Sequence, residues 1–177
     1  MKTTKPIHFI ITGGTIDSFY DGIKDTVTTL AHSAVPNYIK SLKLSSKTKF
    51  TEICMKDSRN LNVKDFYSIT NTIEKSPYKK VIITHGTYTM PDTAKFLKAH
   101  LKRNDQTIVF TGSMIPLLGF APFDASFNLG FAISQVNELP NGIYVCMNGA
   151  IFSPDEVVKL LYEGRFISVF DESNRKK

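Results

Sequence analysis

Five short apolar stretches alternate with helix-like patterns along this chain of 177 residues. The stretches are largely apolar on both faces, which is typical of parallel strands that helices cover on each side. This alternation predicts an α/β fold: a three-layer, mostly parallel, doubly wound sheet in a flavodoxin-like arrangement. The predicted strands are residues 7–12, 50–55, 80–84, 107–111 and 142–147, and the predicted helices are residues 34–42, 62–75, 91–102, 123–136 and 154–162.

The basic character of the chain raises the question of nucleic acid, because the formal net charge is +6 and the pI is near 9.2. Nucleic-acid binding leaves clustered basic residues. Here the lysines are scattered, and the one dense cluster is residues 174–177. No apolar stretch reaches the roughly 18 residues of a membrane span, and residues 7–11 are too short for a signal-peptide core. We therefore expect a cytoplasmic protein with neither nucleic acid nor a membrane as partner.

The cysteines and histidines give no sign of a metal site. Cys54 and Cys146 lie in apolar stretches without a Cys-x-x-Cys pattern, which predicts two reduced core cysteines, although the two could also pair. The four histidines show no metal-ligand spacing, so no metal is expected.

Three predicted strands run directly into stretches rich in glycine and hydroxyl groups, at the sheet edge where such folds bind ligands. The stretches are TGGT at 12–15, THGTYTM at 84–90 and TGSMIP at 111–116. The first lacks the lysine of a P-loop and the third glycine of a dinucleotide fingerprint, so a nucleotide site is not indicated. Taken alone, His85 is better read as a hydrogen-bonded structural residue and Lys159 as an exposed lysine. Thr89 and Ser153 each look like the N-cap of a helix.

Taken together, six stretches in order make the chain resemble the bacterial-type L-asparaginase/glutaminase family. They are TGGTI at 12–16, DSRNL at 57–61, THGTYTM at 84–90, TGSMIP at 111–116, FDASFNL at 123–129 and MNGAIFSPDEVVK at 147–159. The common form of the family has two domains, and residues 1–177 resemble only the N-terminal one. The resemblance therefore implies a single-domain, short-chain branch without the C-terminal domain, with a truncated longer protein as the alternative.

The resemblance implies a catalytic set of Thr15 as nucleophile, Tyr20 as its activator, and Thr87 with Lys159 as a supporting pair. The substrate-binding residues it implies are Gly14, Asp57, Ser58, Arg59, Gly86, Tyr88 and Ser113. The reaction would be hydrolysis of the side-chain amide of L-asparagine through a threonine acyl-enzyme, with no cofactor. Backbone N–H groups near Gly14 or Thr87 would stabilise the oxyanion. A homodimer or a dimer of dimers is also implied.

Two residues depart from the family pattern. Tyr88 stands where the family has an aspartate that pairs with the substrate's α-ammonium, and a tyrosine phenol is neutral near pH 7. Arg59 adds a positive charge beside Ser58. Three hypotheses follow: an asparaginase, an amidase of the same mechanism for a different amide selected by Tyr88 and Arg59, or a non-catalytic asparaginase-like protein that binds a ligand.

Overall fold

The computed structural model describes residues 5–119 and 121–171. Its strands are β1 Ile7–Gly13, β2 Ser18–Asp21, β3 Thr26–Thr29, β4 Thr48–Lys56, β5 Lys80–Thr84, β6 Thr107–Thr111, β7 Gly142–Met147, β8 Ala150–Phe152, β9 Val157–Leu160 and β10 Arg165–Ser168. Its helices are α1 Val35–Ser41, α2 Val63–Lys75, α3 Met90–His100 and α4 Ala125–Glu138.

The central sheet has the order β4-β1-β5-β6-β7-β8. The first five strands are parallel, and β8 runs antiparallel to β7. Counting only the parallel strands along the chain, the order is 2-1-3-4-5, which is the flavodoxin-like order. The chain reverses direction across the sheet between β1 and β5, and ligands bind at such a point. The predicted fold class is confirmed.

Successive strand residues point to opposite faces of the sheet, so each strand feeds two separate cores. Ile83 packs with α2 and α3 on one face, whereas its neighbour Ile82 packs with α1 and α4 on the other. These side chains are fully buried. Two apolar layers of helices around one sheet give the predicted three-layer arrangement.

The prediction of a helix over residues 154–162 is wrong. Ser153 and Glu156 make the bonds of a single turn: the Ser153 N–H donates to Glu156 Oε1 at 2.7 Å, and Glu156 N–H donates to Ser153 O at 3.3 Å. The chain then extends as β9, which pairs antiparallel with β10. The β-branched Val157 and Val158 favour this extended form over a helix. The β2–β3 hairpin and β8 were not predicted either.

Both cysteines are free, and Cys146 is fully buried while Cys54 is half-buried. Among the described residues no group of three or more His, Cys, Asp or Glu side chains could hold a metal ion. Within the same ranges, no helix has both the length and the apolar character to cross a bilayer. The basic cluster at 174–177 lies outside the described residues.

Candidate active site

A cavity of about 230 Å³ opens at the carboxyl ends of β1, β4 and β5. Nine of the eleven residues that the resemblance implies line it, while Tyr20 and Ser113 do not. The lining residues are Gly14, Thr15, Asp57, Ser58, Arg59, Gly86, Thr87, Tyr88 and Lys159. The fold therefore brings together groups from four separate stretches of sequence.

The Gly-Gly turn after β1 allows two backbone segments to touch. Gly13 and Gly14 have φ of +84° and +83°, a region that favours glycine. A Cβ on Gly14 would lie 2.4 Å from Cα and N of Gly86, which is closer than real Cβ atoms approach backbone. The Thr12 hydroxyl donates to Thr84 O at 2.9 Å and fastens β1 to β5 below the turn. The first threonine of TGGT is thus structural.

Thr15 begins the 3₁₀ turn Thr15–Asp17 and lines the cavity. Asp17 is fully buried and accepts hydrogen bonds from Ser33 Oγ at 2.8 Å and Ala34 N at 2.9 Å. Burial raises the pKa of this carboxyl. Asp17 therefore ties the turn that carries Thr15 to the start of α1. Asp17 was not among the predicted site residues, although an acidic residue next to a buried strand end was the available signal.

Thr87 and Lys159 are in direct contact. The Lys159 Nζ donates to Thr87 Oγ1 at 2.7 Å, although the two residues are 72 positions apart. Lys159 is half-buried on β9, opposite Phe166 of β10. Burial, aided by the positive charge of Arg59, lowers the pKa of Lys159. A lysine of this kind gives up its proton more readily than an exposed one.

Arg59 and Tyr88, the two residues that depart from the family pattern, also line this cavity. Arg59 binds the Asp57 carboxylate through Nε at 3.0 Å and Nη2 at 2.7 Å. Its guanidinium also lies 5.9 Å from the centre of the Tyr88 ring. The hydrogen bonds from Arg59 hold the pKa of Asp57 below its usual range.

Ser58 is buried within the cavity wall and is held in place by Thr89. The Thr89 hydroxyl donates to Ser58 O at 2.9 Å. Thr89 occupies the N-cap position of α3, but its side chain makes no capping bond. The expectation that Thr89 merely caps the helix is wrong, because its hydroxyl joins the end of β4 to the end of β5.

Tyr20 and Ser113 lie away from this cavity wall. Tyr20 is 48% exposed on β2, and its hydroxyl donates to the Asp25 carboxylate, which raises the pKa of Tyr20. Ser113 is fully buried, and among the described residues its Oγ has no hydrogen-bond partner. In this conformation, therefore, Tyr20 is held by its neighbour Asp25 rather than at Thr15.

A second and larger chamber adjoins the first. Its volume is about 640 Å³, and it shares Gly14, Thr15, Asp57 and Arg59 with the smaller cavity. The β2–β3 hairpin lines it with residues 26–29, the sequence Thr-Val-Thr-Thr. This β-branched run was the sequence signal for the missed hairpin.

His85 is structural, as its sequence context suggested. It is fully buried between Gly86 O, 2.8 Å from Nδ1, and Thr93 Oγ1, 2.9 Å from Nε2. Because a carbonyl can only accept, Nδ1 carries the proton and Nε2 accepts from Thr93. Burial lowers the pKa of His85 to about 4.

We expect this histidine to make the fold sensitive to acid. The unfolded chain takes up a proton near pH 6.5, whereas the folded chain resists it until about pH 4. Stability present above pH 6.5 is therefore lost as the pH falls toward 4, by about 3 kcal/mol. In His85→Asn, the free energy of unfolding should fall by correspondingly less than in wild type over this pH range, as denaturant unfolding at several pH values would measure. The exposed His100, replaced by Asn, is the control, and an equal change in both variants would contradict the assignment.

Comparisons with known proteins agree with the geometry. The family model for the N-terminal domain of asparaginase matches residues 6–173. A glutaminase-asparaginase of Acinetobacter glutaminasificans is 37% identical over 94 residues, which is 51% of this chain and 28% of that protein. L-asparaginase 2 of Escherichia coli (strain K12) is 28% identical over 161 residues, covering 86% of this chain and 46% of that protein.

Solved structures give the same result. A probable cytoplasmic L-asparaginase from Campylobacter jejuni has a TM-score of 0.81 at 29% identity, over 94% of this chain and 54% of that one. The thermostable L-asparaginase from Thermococcus kodakarensis has a TM-score of 0.79 at 26% identity, over 93% of this chain and 51% of that one. This chain thus spans about half the length of these relatives or less. On the match over residues 6–173, it belongs to the asparaginase family, in which it corresponds to the N-terminal domain.

Proposed function

We propose that this protein is an amidohydrolase that cleaves a carboxamide through an acyl-enzyme on Thr15. The observation that carries the proposal is the meeting of the Thr15 hydroxyl and the Thr87–Lys159 pair in one cavity of about 230 Å³. Family membership supports the reaction class, since relatives carry the names glutaminase-asparaginase and L-asparaginase. Placement of all three groups in one cavity favours an enzyme over a non-catalytic ligand-binding protein.

The reaction has two halves. The Thr15 oxygen attacks the carboxamide carbon and passes its proton to a base, for which we propose Lys159 acting through Thr87. The C–N bond then breaks as the nitrogen accepts a proton, ammonia leaves, and the acyl group stays on Thr15 as an ester. Water attacks the ester carbon, the acid leaves, and Thr15 regains its proton.

The oxyanion needs N–H donors that are not already used. The Gly14 N–H donates to Lys56 O at 2.8 Å, so this group is committed to the turn. We therefore assign the backbone N–H groups of Thr15 and Thr87 to the oxyanion. Loss of one such donor costs about 3–4 kcal/mol of transition-state stabilisation in enzymes of this kind.

L-Asparagine is the first substrate to test, because the named relatives act on it. A different amide is the second candidate, and the ion pair between Asp57 and Arg59 favours it. A cytoplasmic location and assembly as a homodimer or dimer of dimers stay predictions. The Campylobacter jejuni structure, named as cytoplasmic, supports the location.

The test is ammonia release from L-asparagine, L-glutamine and α-blocked amides, with and without hydroxylamine. We expect ammonia release. With hydroxylamine present we also expect a hydroxamate, because hydroxylamine attacks the acyl-enzyme ester in place of water. Ammonia without hydroxamate would argue against the acyl-enzyme. Ammonia no greater than that from Thr15→Ala would move ligand binding ahead of catalysis.

Lys159 should set the pH dependence of the rate. Its neutral amine is the active form, so kcat/KM should rise with pH as the lysine loses its proton, and the lowered pKa brings this rise below that of an exposed lysine. Lys159→Met should remove the rising limb and lower kcat by roughly 10²-fold or more. The exposed Lys95, replaced by Met, is the matched control. If kcat/KM of Lys159→Met still rises with pH as in wild type, the base is another group.

A further inference from the structure

Asp57 is the one carboxylate among the described residues that line the smaller cavity. Its carboxylate is already occupied. Oδ1 accepts from the Arg59 backbone N–H at 2.9 Å and from Nε at 3.0 Å, and Oδ2 accepts from Nη2 at 2.7 Å. Two parallel bonds to a guanidinium are a strong and geometrically specific pairing. An ammonium that approached Asp57 would meet Arg59 as well.

Tyr88 strengthens this arrangement from the other side. Its ring lies 5.9 Å from the Arg59 guanidinium carbon, within range of a cation–π contact. Tyr88 is 52% exposed and lines the cavity, so its ring stands at the cavity mouth and brings no carboxylate there. The two departures from the family pattern are therefore neighbours that act on the same part of the wall.

The remaining donors suit an anion. Among the described residues nothing accepts a hydrogen bond from Nη1 of Arg59, so this charged donor is available to a ligand. A carboxylate gains from the charge of Arg59 and from its unused donor. A free ammonium gains nothing here, since the Arg59 guanidinium repels it and the Asp57 carboxylate is already paired with Arg59.

We infer, on the basis of the proposed function, that the substrate is a carboxamide that carries a carboxylate but no free α-ammonium. Two kinds of compound share this chemistry: monoamides of dicarboxylic acids, and acidic amino-acid amides whose amine is acylated. The second chamber of about 640 Å³ shares Thr15 and Arg59 with the first, and it provides room for an acyl group.

A matched series separates the charges, because each compound has one reactive carboxamide. Succinamate is L-asparagine without its amine, and 3-aminopropanamide is L-asparagine without its carboxylate. We expect kcat/KM for succinamate, N-acetyl-L-asparagine or both to exceed that for L-asparagine at least tenfold, with 3-aminopropanamide slowest. Preference for N-acetyl-L-asparagine over succinamate would identify the acylated class, and the reverse the simple monoamides. Equal or higher kcat/KM for L-asparagine would overturn the inference.

Variants of the wall test the cause. Arg59→Gln frees the Asp57 carboxylate, and Tyr88→Asp adds a second one, so each should lower the preference for succinamate over L-asparagine at least tenfold. Tyr88→Phe keeps the ring over Arg59 and should leave the ratio within about twofold. Ratios unchanged in Arg59→Gln and Tyr88→Asp would refute the role of this wall.

Binding separates this inference from the proposed reaction. Thr15→Ala, titrated with intact succinamate, N-acetyl-L-asparagine and L-asparagine in a calorimeter, should bind one of the first two at least tenfold more tightly than the third. If wild type releases no ammonia from any compound, the proposed function fails, yet this ranking still upholds the ligand class. Equal or tighter binding of L-asparagine would overturn the ligand class even if ammonia is released.

Discussion

Thr15→Ala should lower ammonia release at least about 10³-fold, because removal of a nucleophile leaves only the residual effect of binding and oxyanion stabilisation. Stability should hardly change. Thr15 is half-buried, and among the described residues its hydroxyl makes no hydrogen bond that folding depends on. We expect the free energy of unfolding to stay within about 1 kcal/mol of wild type. Coupled ammonia assays and denaturant unfolding of the same preparation measure both quantities.

Thr12 provides the matched control, since it lies three residues away and contacts neither chamber. Thr12→Val removes the buried hydrogen bond to Thr84 O, which should cost about 1–3 kcal/mol of stability. Turnover by Thr12→Val should stay within about tenfold of wild type. Thr15→Ser keeps a hydroxyl and should retain measurable turnover. An active Thr15→Ala would assign the nucleophile elsewhere.

Gly14→Ala should destabilise the fold by about 3 kcal/mol or more. Its new Cβ would lie 2.4 Å from the Gly86 backbone, and a φ of +83° is strained for alanine. Backbone cannot move aside as a flexible side chain can, so either β1 separates from β5 or the loop that carries Thr87 shifts. The expected result is a lower denaturant midpoint together with a loss of turnover.

Gly130→Ala is the control for this change. Gly130 lies exposed within α4, and a Cβ there would meet nothing within 4 Å. Alanine favours a helix over glycine, so the free energy of unfolding should rise by up to about 1 kcal/mol. A Gly14→Ala variant as stable as Gly130→Ala would show that the close approach of Gly14 to Gly86 does not constrain the fold.

Much of the fold and the site could be predicted because the deciding signals are local. An apolar run such as residues 80–84 indicates a buried strand without reference to the rest of the chain. The strand there is fully buried and has the predicted bounds. The capping box of Asn62 and Asp65 marks the start of α2 in the same way. The failure at residues 154–162 has the opposite cause. There a cap-like turn competes with β-branched residues, and pairing with β10, a non-local contact, decides in favour of the strand.

By itself, the sequence determined the alternating α/β order, the strand cores and the identity of most groups that line the cavity. The element order and the strand cores follow from hydrophobic periodicity, and the cavity residues follow from the family resemblance that six ordered motifs carry. The tertiary structure decided how the groups touch. It brings Lys159 to Thr87 across 72 positions, a pairing that only the family resemblance had implied, and it places the Asp57–Arg59 ion pair beside Tyr88. The reason is physical, because the charge that a side chain presents to a ligand depends on which partner already holds it. For Lys159 with Thr87, and for Arg59 with Tyr88, that partner is set by the packing of segments that are distant in sequence.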